Sequence, residues 1–350
     1  MIELRDNTLA VSFPELSENP RLLIDFQRTL RIPDDGKDYP LPPGLGSFPL
    51  RHIDDFARRM PASWLKRGGV LLPMWQAEAL WLNFKSAFIQ NRATQYPFAI
   101  KVATGKISAI TGAAWARGLS RNPQDYLVVP GQPWLDGYCV EKGVIRQFVA
   151  MPLGEGYSVE EQVTGEAEFG GLQIEIFPMR REVFERRFPV KQYGAIRRSR
   201  VSLLETTFAA GGFGLCESDA MGLAPGGRMR QEIIEDPFSI HDWDTEHSSR
   251  CFIHLVNSAT WQAIAGEKPP TLPPTAKQYT NAGYPWFDYY DKEQTALKGS
   301  KALAGLKSVL GMGQSKRVDP LPENESVSVS KLVNLRVGLP PHQVRESDLS

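Results

Sequence analysis

Short apolar segments broken by glycine and proline recur along much of the chain, and this pattern most constrains the fold. They run over residues 78–84, 97–112, 125–130, 137–152 and 171–178. Two of them read as hairpins, turning at Thr104–Gly105 and at Gly143. A parallel α/β fold would need amphipathic helices between the strands, and those patterns are missing. The sequence therefore predicts a β-rich fold (all-β to α+β), with antiparallel sandwich or barrel-like sheets and a few short helices.

The aromatic and β-branched residues are concentrated before residue 291. We expect a single β-rich domain over residues 1–290 and a C-terminal extension over 291–350, comprising a weak amphipathic helix and a partly disordered tail. The helix is predicted at 293–311, where leucines fall near one stripe and three glycines weaken it. A marginal helix needs a surface to pack on. The alternatives are the chain's own domain, a partner protein or a second copy of the chain in a homo-oligomer. Of these, we expect docking on a partner or on a second copy.

Charge and cysteine content argue against several classes of protein. Lys and Arg number 40, as do Asp and Glu, so no net field attracts nucleic acid or an anionic membrane. The 3 cysteines are widely spaced and form no CxxC pair, which disfavours a disulfide framework and a thiolate zinc site. No run of ~18 uninterrupted apolar residues predicts a membrane span, and the N-terminal pattern does not resemble a signal peptide. We expect a soluble, cytoplasmic protein.

Two further patterns suggest binding to phosphate groups, and both are weak. Residues 179–200 form a basic tract with interleaved aromatic residues, a pattern that suits a nucleic-acid backbone. The acidic segment 154–168 is close in sequence, so mutual neutralisation is favoured and nucleic acid is not the favoured partner. Residues 209–227 are glycine-rich, lack the GxGxxG and GxxxxGK[ST] motifs, and are expected to form a mobile loop.

The polar segment HDWDTEHSSRCFIH, residues 241–254, holds three of the five histidines. Asp242, Asp244 and Glu246 alternate as in the first half of a calcium loop. His247 stands where such a loop needs glycine, and the distal glutamate is missing, so a loop of the EF-hand type is rejected.

Two interpretations of this segment remain. In the first, Asp242, Asp244 and His247 bind a divalent metal, and His241, Asp244 and His254 are the catalytic groups of a hydrolytic, metal-assisted enzyme. In the second, the segment is a hydrogen-bonded polar turn, and His254 is a core residue of the strand that follows. The spacing matches no compact ligand motif, so the second interpretation is favoured.

The loop PGQPWLDGY, residues 130–138, is a second candidate site. Trp134 can stack on a ligand while Asp136 accepts hydrogen bonds from it. Alternatively, Trp134 plugs the end of the sheet and Asp136 forms an Asx-turn before Gly137. The structural alternative is the favoured one of the two.

Three stretches resemble a bacterial family of unknown function: GQPWLDGY (131–138), VIRQFVAMPLGEGYSVEEQVTGEAEFGGLQIEIFP (144–178) and AGYPWFDYYD (282–291). Its members are hypothetical proteins, some labelled "integral membrane protein". The resemblance implies no known activity, cofactor or catalytic residue, and the membrane label conflicts with the missing apolar span.

Taken together, these patterns favour a ligand- or protein-binding module without catalysis. The alternative is the hydrolytic enzyme centred on His241–His254. The ligand and the cofactor are not specified by the sequence, and a divalent metal is not favoured.

Overall fold

The computed structural model describes residues 1–16, 18–190, 220–273, 275–281, 284–289, 294–318, 329 and 332–335. These residues form twenty β-strands. The strands are Ile2–Arg5 (β1), Thr8–Ser12 (β2), Arg21–Thr29 (β3), Asp38–Tyr39 (β4), Arg51–His52 (β5), Val70–Met74 (β6), Ala79–Ser86 (β7), Phe88–Ile89 (β8), Thr94–Gln95 (β9), Phe98–Thr104 (β10), Ile107–Ser108 (β11), Leu127–Val129 (β12), Trp134–Leu135 (β13), Gly137–Glu141 (β14), Val144–Pro152 (β15), Leu172–Pro178 (β16), Ala220–Arg230 (β17), Ser249–Asn257 (β18), Trp286–Tyr289 (β19) and Leu332–Leu335 (β20).

The helices of the described residues are short. The α-helices are Ala62–Arg67 (α1), Val159–Thr164 (α2), Arg181–Arg187 (α3), Ser258–Ala265 (α4), Ala276–Asn281 (α5), Lys301–Ala304 (α6) and Val309–Lys316 (α7). Single 3₁₀ turns or short 3₁₀ helices span Ile53–Arg59, Gln90–Arg92 and Ile240–Asp242. No helix within these ranges is long and apolar enough to cross a bilayer.

Sixteen of the described strands belong to one large sheet. Its main path runs β1-β2-β3-β7-β15-β17-β18-β16-β10-β11. The pairs along this path are antiparallel, while β4 and β6 add parallel pairs to β17 and β18. The path has two free ends, so the sheet does not close on itself. The prediction of a β-rich fold with antiparallel sheets and a few short helices is confirmed, as are the turns of both hairpins.

Alternation along the strands decides which side chains enter the core. In β7, Leu80, Leu82 and Phe84 are buried in the main hydrophobic cluster, while Trp81 and Asn83 point to the opposite face and remain partly exposed. Successive side chains of a strand point to opposite faces of the sheet, so buried and partly exposed residues alternate along β7. The face that carries Trp81 and Asn83 becomes one wall of the candidate site.

The prediction that residues 209–227 form a mobile loop is wrong for those of them that the structure describes. Residues 220–227 lie in β17, paired with β15, and residues 209–219 lie outside the described ranges. The glycines of β17 are needed for close packing. A Cβ atom on Gly226 would lie 2.5 Å from Cγ2 of Val149, and one on Gly227 would overlap the backbone oxygen of Pro33. The backbone of β17 can approach its neighbours closely only because these side chains are missing.

The described part of the predicted C-terminal extension packs on the sheet. Residues 301–304 and 309–316 form the two short helices α6 and α7 in place of the single helix predicted at 293–311. Leu303 is 1% exposed and belongs to the main core cluster. The Ser300 amide donates to the backbone oxygen of Cys139 in β14 at 2.9 Å. Residues 294–318 therefore bury apolar surface against this chain itself.

Candidate functional site

Two rows of side chains cross β3, β7 and the end of β13 on the face opposite the core leucines. The strand register aligns the first row as Asp25–Asn83–Trp134 and the second as Gln27–Trp81, and Asp136 directly follows β13. Asn83 donates from Nδ2 to Oδ2 of Asp25 at 2.9 Å, which links the first row. The pairing of three strands that are distant in sequence therefore brings two tryptophans and two carboxyl groups onto one face.

A cavity of about 220 Å³ lies over this face, and we call it the aromatic pocket. Its walls include the rings of Trp81, Trp134 and Phe287, all of them partly exposed, together with residues 41–44. Asp136 is the one ionisable side chain among the described residues that line it. The aromatic pocket is thus an apolar enclosure with a single acid group.

The wall opposite the sheet is fixed by backbone hydrogen bonds. The amides and carbonyls of Leu41 and Phe287 bond reciprocally at 2.8 Å, which joins the segment before the pocket to β19. Further along this segment, a Cβ atom on Gly44 would lie 3.1 Å from Cζ2 of Trp81 and 2.7 Å from Oε1 of Gln27. Glycine at this position lets the segment lie close against the edge of the indole ring.

Asp136 is 3% exposed and is held by one glutamine. Nε2 of Gln231 donates to Oδ2 of Asp136 at 2.8 Å, and Oε1 of Gln231 accepts the Asp136 amide at 3.1 Å. Burial raises the pKa of Asp136 to about 7, and the hydrogen bond from Gln231 offsets only part of this rise. The carboxyl group therefore changes its charge near neutral pH, an uncommon property that is often found at functional sites.

These contacts bear on the two interpretations of the loop at 130–138. The carboxyl of Asp136 bonds to Gln231, just beyond β17, rather than to the backbone of its own turn. Trp134 packs partly against the core but keeps part of its ring accessible at the cavity. Both residues thus line the aromatic pocket, and their role as ligand contacts stays a prediction.

The polar segment 241–254 is a turn followed by a strand. Oδ2 of Asp242 accepts a hydrogen bond from Nη2 of Arg187 at 2.9 Å and another from the Ser239 amide at 3.2 Å. Asp244 and His247 pair with each other, Oδ2 to Nδ1, at 2.8 Å. The hydrogen bond and charge of Asp244 raise the pKa of His247, and His241 is exposed. The carboxylates of Asp242 and Asp244 thus have partners within or next to the turn and, for Asp242, in α3.

His254 lies in a different environment. It is 1% exposed, its ring stacks on Trp64 with centroids 4.5 Å apart, and its Nε2 is 3.0 Å from the backbone oxygen of Gly68. Burial lowers the pKa of His254 to about 4, so the ring is neutral near pH 7. His254 matches the predicted core residue.

The strand register also separates His254 from the rest of the segment. The Asp244 amide bonds to the backbone oxygen of Pro178 at one end of β16, whereas Leu172 at the other end pairs with Ile253. Six residues of extended strand span about 20 Å. The structure therefore does not bring His254 to Asp244. Within the described ranges, no group of three His, Cys, Asp or Glu side chains is placed to hold a metal ion.

Trp81 and Phe287 are the pocket residues that sequence reasoning missed. Trp81 alternates with Leu80 and Leu82, so the sequence does signal that it faces away from the core. Phe287 lies in the aromatic stretch near the end of the β-rich region. What the sequence does not contain is the long-range pairing that brings either of them to Trp134.

No family model, no curated protein and no solved structure matches this chain significantly. The resemblance of residues 131–138, 144–178 and 282–291 to a bacterial family therefore stays a prediction. The feature of this chain that points to a function is the geometry of the aromatic pocket.

Proposed function

We propose that the protein is a binding module without catalysis, and that its aromatic pocket takes a small organic cation bearing an ammonium group. One observation carries the proposal: three partly exposed aromatic rings and one buried carboxyl line the same cavity. The faces of aromatic rings attract cations through their quadrupoles, and such cages recognise quaternary ammonium groups.

Asp136 supplies the counter-charge. A cation in the pocket favours the carboxylate form of this group, which burial otherwise disfavours. The described lining residues include no lysine or arginine that would compete for it. Ligand binding and ionisation of Asp136 therefore stabilise each other.

The size of the cavity limits the ligand. A volume of about 220 Å³ is below the range of roughly 300–1,000 Å³ typical of pockets for drug-sized molecules. It suits a methylated ammonium head group, either of a free small molecule or of a larger one whose remainder stays outside.

A matched pair of ligands tests the charge requirement. Choline and 3,3-dimethyl-1-butanol have nearly the same shape, but only choline is charged. We expect choline to bind, as measured by calorimetry at pH 8, and the neutral alcohol to bind at least tenfold more weakly. Equal affinities for the two, or no binding of choline at millimolar concentration, would refute the proposal.

Trp134→Leu should weaken choline binding by about tenfold, because it removes one ring from the cage. Trp75→Phe is the matched control. Trp75 is also partly buried, but its indole nitrogen donates to the backbone oxygen of Pro270, outside the lining of the aromatic pocket. A similar loss of affinity in both variants would indicate a general effect on the fold.

A further inference from the structure

A second cavity, of about 260 Å³, is lined in part by residues of β16, of β18 and of the turn that follows β10. It is lined by Arg67, Lys106, Trp115, Gln173, Arg250 and Phe252. We call it the cationic pocket. Three of these six side chains carry a positive charge, the opposite of the aromatic pocket.

Aromatic rings hold the three cations in place. The guanidinium of Arg67 lies 4.6 Å from the ring centroid of Phe169 and 5.6 Å from that of Phe252. Nζ of Lys106 lies 3.9 Å from the centroid of Phe169, and the guanidinium of Arg250 lies 5.9 Å from that of Trp115. The positive groups are therefore positioned by packing as well as by charge.

Nearby carboxylates neutralise only part of this charge. Glu175 pairs with Arg250 at 2.9 Å, while Arg67 donates to a backbone oxygen, that of Glu168, at 3.3 Å. The carboxylate of Glu160, also near Arg67, accepts the amides of residues 168, 169 and 170. The charges of Glu160 and Glu168 also act to raise the pKa of Arg67, although desolvation by burial outweighs them. None of these three carboxylates is among the described residues that line the pocket, so the charged groups of the lining are all positive.

Lys101 does not add to the positive charge of the pocket. It is buried beneath Trp115, and its Nζ pairs with Oδ2 of Asp125 at 2.8 Å. Its charge is therefore already balanced by a carboxylate.

Two lining residues carry buried donor atoms that lack a partner among the described residues. They are Nη1 of Arg67 and Nε1 of Trp115. A buried donor without an acceptor destabilises the folded protein. Burial also lowers the pKa of Arg67, since desolvation disfavours its charged form. An oxyanion in the pocket would offset both penalties.

We infer that the cationic pocket binds the phosphate group of a small phosphate monoester. A lining with three cationic side chains and no carboxylate suits a phosphate monoester, which carries about −1.5 to −2 at pH 7. Arginine and lysine are the residues that bind phosphate most commonly. The volume exceeds that of phosphate alone, so part of the organic group enters as well.

Calorimetry with phenyl phosphate, benzoate and phenol tests the inference. These probes share one ring and differ in charge. We expect phenyl phosphate to bind at least tenfold more tightly than benzoate and phenol not to bind, with affinity falling as salt rises. Benzoate binding as tightly as phenyl phosphate, or no binding of phenyl phosphate at millimolar concentration, would overturn the inference.

Lys106→Gln should weaken binding of phenyl phosphate about tenfold. Its control is Arg181→Gln, which removes a cation from an exposed pair with Glu185 on α3. Equal losses in the two variants would show that only the overall charge matters, and would overturn the inference. Melting curves of both variants establish that they fold. Choline binding by Lys106→Gln should be unchanged. A negative result at the cationic pocket therefore leaves the proposal for the aromatic pocket unaffected, and the converse also holds.

Discussion

The buried carboxyl of Asp136 should make the protein less stable as the pH rises towards neutrality, and Asp136→Asn isolates this effect. The pKa of Asp136 is about 7 in the folded protein against an ordinary value of 3.8. Between these two values the folded state keeps a proton that the unfolded state has released. The stabilising contribution is therefore complete below pH 3.8 and is lost as the pH rises through 7.

The expected magnitude follows from the two pKa values. A difference of one pKa unit corresponds to about 1.4 kcal/mol. The contribution of Asp136 to the free energy of unfolding should fall by about 2 kcal/mol between pH 5 and pH 7 and level off above about pH 8. Asparagine has nearly the same shape, does not titrate, and keeps an oxygen that can accept the hydrogen bond from Gln231. The stability of Asp136→Asn relative to the wild type should therefore rise by about 2 kcal/mol over that interval.

Urea denaturation of both proteins at pH 5, 6, 7 and 8, at constant ionic strength, measures this difference. Other titrating groups change both proteins equally and cancel. Asp54→Asn, at an exposed position, is the control and should show no comparable slope. A difference between wild type and Asp136→Asn that is independent of pH, or that changes in the opposite direction, would refute the reasoning.

Three further predictions concern stability. Leu303→Ala should lower the free energy of unfolding by about 2–5 kcal/mol. The control Leu272→Ala, at a position 72% exposed, should change it little. Equal effects of the two substitutions would show that residues 294–318 are not part of the core. Gly227→Ala should be strongly destabilising because its Cβ would overlap the backbone oxygen of Pro33. Gly305→Ala, whose Cβ would lie 3.5 Å from its nearest neighbour, should be tolerated. Thermal melts compare the two variants, and a stable Gly227→Ala would contradict the packing of β17. His254 has a pKa of about 4 when folded against an ordinary 6.5, so its contribution to stability is present above pH 6.5 and is lost as the pH falls towards 4. Between pH 7 and pH 4.5, the free energy of unfolding of the wild type should fall by about 2 kcal/mol relative to that of His254→Phe. Denaturation curves that give the same difference in free energy of unfolding at both pH values would contradict this.

The sequence predicted the features that depend on local pattern. The alternation in β7 and the hairpins of β10–β11 and β14–β15 follow from side-chain period and turn residues. His254 was identified as a core residue by the same argument, because it shares a strand face with Phe252 and Val256. These signals are contained within ten or so neighbouring residues.

The features that escaped sequence reasoning depend on long-range contacts. Glycine is compatible both with a mobile loop and with a closely packed strand, and only the neighbours of Gly226 and Gly227 decide between them. The partners of Leu303, in α6, and of Trp134, in β13, are likewise set by contacts between segments that are distant in sequence. Trp134 and Asp136 were named as candidate ligand contacts, with a structural role favoured. Trp81 and Phe287, which line the aromatic pocket with them, were not named.

The close packing of β17 also determines which positions of the chain are free to diverge. Gly222, Gly226 and Gly227 each lie where a Cβ would overlap a neighbour, and for Gly227 that neighbour is backbone, which cannot be relieved by exchanging a side chain. A homologous chain with another ligand could therefore replace Trp134 or Asp136 and keep the fold, whereas it could hardly replace Gly227. We expect the glycine spacing of β17 to persist in distant homologues after the pocket residues have changed, so this spacing is the signature by which such relatives would be recognised.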